Sequence, residues 1–466
     1  MSAQSLSSAV NQLLAQLSQL PPHDLASISP SGGSTSTSPG DKIIQLCCQV
    51  DAIPLISWLS SQDQYPRLYW QGRDKVEEVA AIGCAKDFQF DDDIDDGQLA
   101  SIYQQQRSLS DNHNIRYYGG VAFDRSIASW PEFGRARFIL PRIELRRSQN
   151  QLTLYVNLNL ADSNLVDECR AASQALTLLQ PPRPLQPPHK VGLTARYDTP
   201  AYARWEELVN QVTDADFNQK VPKVVLSRLS QLEVNEAVDP WLVLACWQGR
   251  NQNSFQFGFQ FSPSRAFISC SPERLFRRRE RELLTEALAG TTVRGLNQEE
   301  DQALAQQLLD DSKNSHENQL VREHIVDMLT PLSTEVSADA NPRVFKLTHI
   351  QHLHRTIQAA LKNDINDFQL LQALHPTPAV GGLPREEAMA FIRQQEGYMR
   401  GWYAGACGYL NHSESEFSVA IRSALFEPGR INLYAGAGIV SGSDPRAEWQ
   451  ELENKLATII SILIDF

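Results

Sequence analysis

The apolar positions along this chain follow two periods, and the period changes where the predicted architecture changes. Leu6, Val10, Leu13, Leu14 and Leu17 recur at helical spacing and predict an amphipathic N-terminal helix. Strand signals follow at Arg67–Gln71, Val79–Cys84, Ala136–Pro141 and Leu152–Leu158, and a helical stretch runs from Ala161 to Leu179. Asp198-Thr199-Pro200 opens another helix, in which Trp205, Leu208, Val209 and Val212 are spaced for one buried face. Period two then takes over. Phe255, Phe257, Phe259 and Phe261 alternate with Gln256, Gly258 and Gln260, which predicts a half-buried strand. Lys223–Leu232, Ala266–Cys270, Arg274–Arg278 and Leu283–Leu288 extend the predicted sheet, and a long helix, Gln298 to Leu332, is broken near Asp311. Strand runs followed by long helices predict an α+β fold with large, mostly antiparallel β-sheets and flanking helices.

The chain closes on a strand, a glycine turn and a helix. Leu433–Val440 reads as the strand, Asp444 suits the helix N-cap, and Pro445 suits the first helical position, where its missing N–H costs nothing. Glu448, Glu451 and Lys455 then share one polar face, beside an apolar stripe of Trp449, Leu452, Leu456, Ile459, Ile460 and Leu463. That polar face has two readings. It is a solvated surface stripe, or a pair of carboxylates and an ammonium that hold an acidic ligand together with a hard cation.

Residues 27–41 are rich in Ser, Thr, Gly and Pro and are expected to form a mobile, disordered loop; the proline-rich stretch 180–190 is the candidate boundary between a region 1–190 and a region 191–466. At 466 residues there is ample length for a buried core. A formal net charge of −13 argues against nucleic acid or an anionic membrane as partner, so an anionic ligand needs local basic groups or a metal. Seven scattered cysteines without a CxxC pair read as reduced intracellular thiols, and no run approaches the ~18 apolar residues of a membrane helix, so a cytoplasmic protein is expected.

Candidate chemistry is confined to the second region. Lys223 opens an apolar strand, where it either reaches solvent or points inward and becomes a base through desolvation. Glu273 lies in Ser271-Pro-Glu-Arg, between two strands, either paired with Arg274 or Arg277 or buried as a general acid. Glu317 follows His316, but Leu320 occupies the second histidine position of an HExxH zinc site, and Gly436-Ala437-Gly438 lacks the third glycine of a dinucleotide fingerprint.

The order of the blocks carries more than any one of them. Val221-Pro-Lys-Val-Val-Leu-Ser-Arg228, Cys270-Ser-Pro-Glu-Arg-Leu275, Thr285-Glu-Ala-Leu-Ala-Gly-Thr291, His352-Leu353, His375-Pro-Thr-Pro-Ala-Val-Gly-Gly382, Trp402-Tyr-Ala-Gly405, Ser418-Val-Ala-Ile-Arg422 and the closing Leu433–Lys455 stretch follow one another as in the chorismate-utilising enzymes. The chain resembles an isochorismate synthase, most closely of the menaquinone-pathway type, specifically over 198–466 and more loosely through Tyr65–Gln71. The resemblance implies the anthranilate synthase component I-like fold and chorismate as substrate, bound in region 191–466. It implies Lys223 as the group that activates water, Glu273 as general acid, and Mg²⁺ held by Glu317 and Glu451 with Glu448 beside it. Gly290, Thr291, Tyr403, Arg422, Gly436, Gly438 and Lys455 would line the substrate pocket, with His352 as a pocket wall. Ala289 stands where aminodeoxychorismate-forming relatives carry a lysine, and Ala379 where salicylate-forming and anthranilate-type relatives carry threonine. Both favour stopping at isochorismate, with no glutaminase subunit. A siderophore-pathway isochorismate synthase, a salicylate synthase and a non-catalytic chorismate-binding subunit are the alternatives.

Overall fold

The computed structural model describes residues 3–20, 43–91, 114–185, 192–251 and 253–464; the segment 27–41 lies outside them, as does much of 180–190. Twenty strands among these residues join one hydrogen-bonded network, and every strand ladder in it is antiparallel. The network forks at the long strand Ala136–Ser148, which pairs with both Glu77–Phe90 and Tyr117–Val121. One branch runs from Glu77–Phe90 through Arg67–Gln71, Phe255–Ser262, Arg265–Ser271, Ser423–Glu427 and Arg430–Val440 to Lys223–Val234. The other runs from Tyr117–Val121 through Ala406–Leu410, Glu414–Val419, Arg274–Arg279 and Glu282–Val293 to Ile350–Leu361. Strands from both sides of the proline-rich stretch therefore pair with each other.

Two chain segments cross from branch to branch. Arg265–Ser271 passes through Pro272 and Glu273 into Arg274–Arg279, and Glu414–Val419 passes through Ala420–Arg422 into Ser423–Glu427. The crossings are tied together: the Val419 N–H and the Ser418 hydroxyl both donate to the Glu273 carbonyl, at 3.1 and 2.8 Å, and the Cys270 N–H donates to the Arg422 carbonyl at 2.9 Å. Two helices flank the space between the branches. Ser312–Leu329 packs on Glu282–Val293, and Pro445–Ile464 packs on Arg430–Val440.

The helix breaks follow local chemistry. Asp311 ends one helix at Asp310 and caps the next, its carboxylate accepting the Asn314 N–H at 2.7 Å. Asp444 caps the last helix in the same way, accepting the Ala447 N–H at 2.8 Å. The predicted N-terminal helix spans Leu6–Gln19 and buries Ala9, Leu13 and Leu17. One expectation is corrected. Phe255–Ser262 is buried on both faces, because the helix Pro240–Arg250 covers its polar side and the Trp241 indole N–H donates to Gln260 at 2.9 Å. Glutamines at alternate positions marked a partnered interior there, not a wet face. No described helix is long and apolar enough to cross a membrane.

Candidate active site

Between the branches lies a cleft that encloses about 870 Å³ of non-atom space, counted together with the solvent at its mouth. Glu273, Gly290, Thr291, Glu317, His352, Ala379, Tyr403, Arg422, Gly436, Gly438, Glu448, Glu451 and Lys455 all line it. Lys223 does not reach the lining.

Lys223 is fully buried at the first position of its strand, and its Nζ donates to Glu317 Oε1 at 2.8 Å. Glu317 comes from the helix Ser312–Leu329 and is half-buried, whereas His316 beside it is exposed. Gly438 separates Lys223 from the cleft. A Cβ at that position would sit 2.6 Å from Glu317 Oε1 and 3.0 Å from Lys223 Cε, so any side chain there would push this pair aside.

Glu273 occupies a crossing, nearly buried, and pairs with neither nearby arginine: Arg274 turns to Glu416 at 3.0 Å and Arg277 to Asp74 at 3.8 Å. Burial, and after it the negative charge of Glu286, raises its pKa to about 8, against the opposing pull of Lys223 and Lys455. Glu286 is the reverse case. Burial opposes its charge, but Arg73 grips both its oxygens at 2.7 Å and His354 Nε2 lies 2.9 Å from one, so it is held far below the usual carboxylate range.

The remaining walls set two cations among neutral groups. Arg422, with φ +49°, is half-buried, and desolvation lowers its pKa to about 10, which still leaves it charged at neutral pH. Lys455 reaches under the glycine strand to donate to the Gly436 carbonyl at 2.7 Å. His352 places Nδ1 3.0 Å from the Thr291 hydroxyl and leaves Nε2 buried without a protein partner; burial, Arg422 and Lys455 keep the ring neutral. Gly290 sits at φ +81° on a bulge of its strand, and the freed Thr291 N–H is taken by Asn314 at 3.2 Å. Tyr403 stacks on Tyr434, ring centroids 4.9 Å apart. Ala379 presents only a methyl group.

Glu448 is buried rather than solvated, so the C-terminal helix face is not a plain surface stripe. Each of the three acids faces a lysine: Glu317 faces Lys223 at 2.8 Å, Glu448 faces Lys313 at 2.9 Å and Glu451 faces Lys455 at 2.5 Å. Among the described residues no three metal-binding side chains converge into a ready-made cage. The donor set nevertheless fits a hard cation. All three groups are carboxylates on one cleft, and burial together with the adjacent Glu451 pushes the Glu448 pKa up, a strain that a divalent ion relieves. Burial likewise acts to raise Glu451, but Lys455 and Arg422 outweigh it and hold that group ionised.

Lys313, Asn314, Glu286 and Arg73 were not singled out from the sequence. Lys313 had a usable signal, since it lies four residues before Glu317 and so on the same helix face. Glu286 and Arg73 had none, because their partners lie far away in the chain.

The chorismate binding enzyme family matches residues 32–464. The chain is 36% identical over 464 residues to the isochorismate synthase MenF of Escherichia coli (strain K12), with 99% of each chain covered. It is 35% identical over 410 residues to the salicylate biosynthesis isochorismate synthase of Pseudomonas aeruginosa, covering 85% of this chain and 84% of that one. The solved structure of MenF, the menaquinone-specific isochorismate synthase from Escherichia coli, superposes with a TM-score of 0.87 at 34% identity, over 99% of this chain and 100% of that one. At 20% identity, anthranilate synthase component I from Streptococcus pneumoniae shares the fold, with a TM-score of 0.69 over 82% of this chain and 92% of that one. The chain belongs to the chorismate-binding enzyme family, on its isochorismate synthase branch.

Proposed function

We propose that this enzyme isomerises chorismate to isochorismate with the help of Mg²⁺, Lys223 acting as base and Glu273 as acid, and that the product feeds menaquinone formation. The observation that carries the reading is Glu273, a carboxyl facing the cleft whose pKa of about 8 leaves it protonated at neutral pH. A group that must hand a proton to a leaving hydroxyl needs that property.

Chorismate is a dianion, and the reaction moves a hydroxyl from C4 to C2 by adding one water and losing another. Lys223, as the neutral amine, takes a proton from the water whose oxygen bonds to C2. The ring double bonds shift, the C4–O bond breaks, and Glu273 gives its proton to the departing oxygen. Arg422 and Lys455 supply positive charge to the substrate carboxylates, and a guanidinium matches a carboxylate with two parallel hydrogen bonds. Neutral His352 offers its unpartnered Nε2 to the ligand. Glu317, Glu448 and Glu451 would hold the Mg²⁺, which supplies Lewis-acid neutralisation of substrate carboxylate charge. Glu317 is thus shared between the base and the cation site.

Ala289 and Ala379 support release of isochorismate itself. Neither offers the lysine of an ammonia-using relative or a hydroxyl that would assist pyruvate elimination, and no glutaminase partner is called for. The menaquinone assignment rests on the likeness to MenF. Incubating the purified protein with chorismate, with and without Mg²⁺, and separating the products tests the chemistry. Isochorismate formed only with Mg²⁺ is expected; salicylate with pyruvate, or no product, would overturn the assignment. Restored growth of a menaquinone-requiring strain that lacks its own isochorismate synthase tests the pathway.

A further inference from the structure

The crossing that carries Glu273 is fastened on both sides by a pair of residues outside the chemistry described so far. Arg73, in the turn after strand Arg67–Gln71, donates one N–H to the Pro272 carbonyl at 2.7 Å and two more to the Glu286 carboxylate, each at 2.7 Å. Glu286 in turn accepts the Arg274 backbone N–H at 2.8 Å. The peptides before and after Glu273 are therefore both held by one bidentate ion pair, which joins the two regions of the chain across 213 residues. The pair is close to buried, with side-chain exposures of 13% and 3%. The rings of Phe255 and Phe345 lie 5.6 and 5.0 Å from the Arg73 guanidinium, and His354, stacked on Phe345, braces the second carboxylate oxygen.

We propose that Arg73 and Glu286 form a clasp that fixes the general acid in place, with Glu286 as a positioning residue that sets a permanent negative charge beside the Glu273 carboxyl. The inference rests on the reading of Glu273 as that acid. The geometry favours a purpose beyond packing. A guanidinium that only needed neutralising would be satisfied by the carboxylate alone, whereas this one also reaches the peptide preceding the acid. The charged groups facing Glu273 are Glu286 against its ionisation and Lys223 and Lys455 in favour of it; around Arg73 stand Glu286, Glu416 and Asp74, and around Glu286 stand Arg73 and His354. Removing the Glu286 charge leaves the two lysines unopposed, so Glu273 would lose its proton at lower pH.

The test follows the protonated carboxyl of Glu273 by infrared difference spectroscopy as pH is raised, with Glu273→Gln identifying its band. In Glu286→Gln, which keeps an oxygen to accept the Arg274 N–H, the titration midpoint is expected to drop by about one pH unit or more. Turnover near pH 7.5 should fall with little change in KM. The double variant Arg73→Gln/Glu286→Gln removes both charges and guards against misfolding caused by an unpaired Arg73. It should show the same displaced midpoint. An unmoved midpoint in a folded variant overturns the proposal, and so does failure of both variants to fold, which would make the pair a folding element. The titration does not depend on turnover, so the underlying reading fails separately, if Glu273→Gln retains wild-type activity.

Discussion

Lys223 lies behind the cleft wall and Glu273 on its lining, both nearly or fully buried, yet their surroundings differ in kind. Lys223 belongs to a continuous strand whose ladder with Arg430–Val440 places it opposite Val440, and its Nζ donates to a carboxylate 2.8 Å away. Glu273 belongs to a crossing between branches, where no ladder fixes it, and its dominant charged neighbour is another carboxylate. Burial penalises charge on Glu273, and the neighbouring Glu286 carboxylate reinforces that penalty. A base can be positioned by a regular strand, whereas an acid that must keep its proton needs an irregular segment and an anion brought to it from elsewhere.

The most severe way to break this comparison is to remove either group. Lys223→Ala and Glu273→Gln should each lower turnover by roughly 10²–10⁴-fold with KM for chorismate little changed, as measured by steady-state kinetics. Near-normal turnover in either would remove that residue from the chemistry. Gly438→Ala tests the lysine side without touching a charge. Its methyl group would meet Glu317 Oε1 at 2.6 Å and Lys223 Cε at 3.0 Å, so the pair must shift, and a displacement of this size can cost about 10²-fold in turnover. The fold should survive, which circular dichroism would show. Wild-type kinetics would mean that the Lys223–Glu317 contact is dispensable.

Glu317→Gln and Glu451→Gln address the cation. Each should raise the Mg²⁺ concentration for half-maximal activity by at least about tenfold, because a neutral amide is a weaker ligand than a carboxylate. Glu317→Gln should also depress turnover at saturating Mg²⁺, since Glu317 holds Lys223, whereas Glu451→Gln should not do so through that route. Identical titrations for both variants and the wild type would take these residues out of the cation site.

Much of this arrangement could be read from the sequence where the signal is local. Helix starts at Asp311 and Asp444 follow from side-chain capping, and the strand at Lys223 follows from its apolar run. The pocket residues named from the chorismate-enzyme blocks reach the cleft together because those blocks fall on strand ends and crossings that meet there. What stayed hidden is long-range. Glu286 is an unremarked acid in a buried strand until Arg73 arrives from the other region, and nothing near either residue announces the other. The double burial of Gln256 and Gln260 was hidden for the same reason, since period-two alternation reports which face is polar but not whether a helix covers it. Lys223 leaves two readings open in the sequence, and the structure takes the inward one, while its screening from the cleft by Glu317 and Gly438 depends on a helix some ninety residues later.

The mildest prediction concerns stability, and it separates the acid side from the base side without any kinetics. An ordinary glutamate ionises near 4.5, whereas burial and Glu286 move Glu273 to about 8 in the folded protein. Between those values the folded state holds a proton that the unfolded chain has released, so folding stability from this group falls as pH rises from 4.5 towards 8. The ideal slope is about 1.4 kcal/mol per pH unit, and relaxation and water entry reduce the total to the order of 1–3 kcal/mol. Glu273→Gln removes the titration while keeping size and polarity. Its thermal stability should match the wild type near pH 4 and exceed it near pH 8, with the gap widening steadily between. The buried Glu416 and Glu448, also shifted upward, are common to both proteins and cancel in the difference. Parallel melting curves across that range would mean that Glu273 ionises as readily in the fold as in the unfolded chain, and the contrast between the two sides of the cleft would collapse.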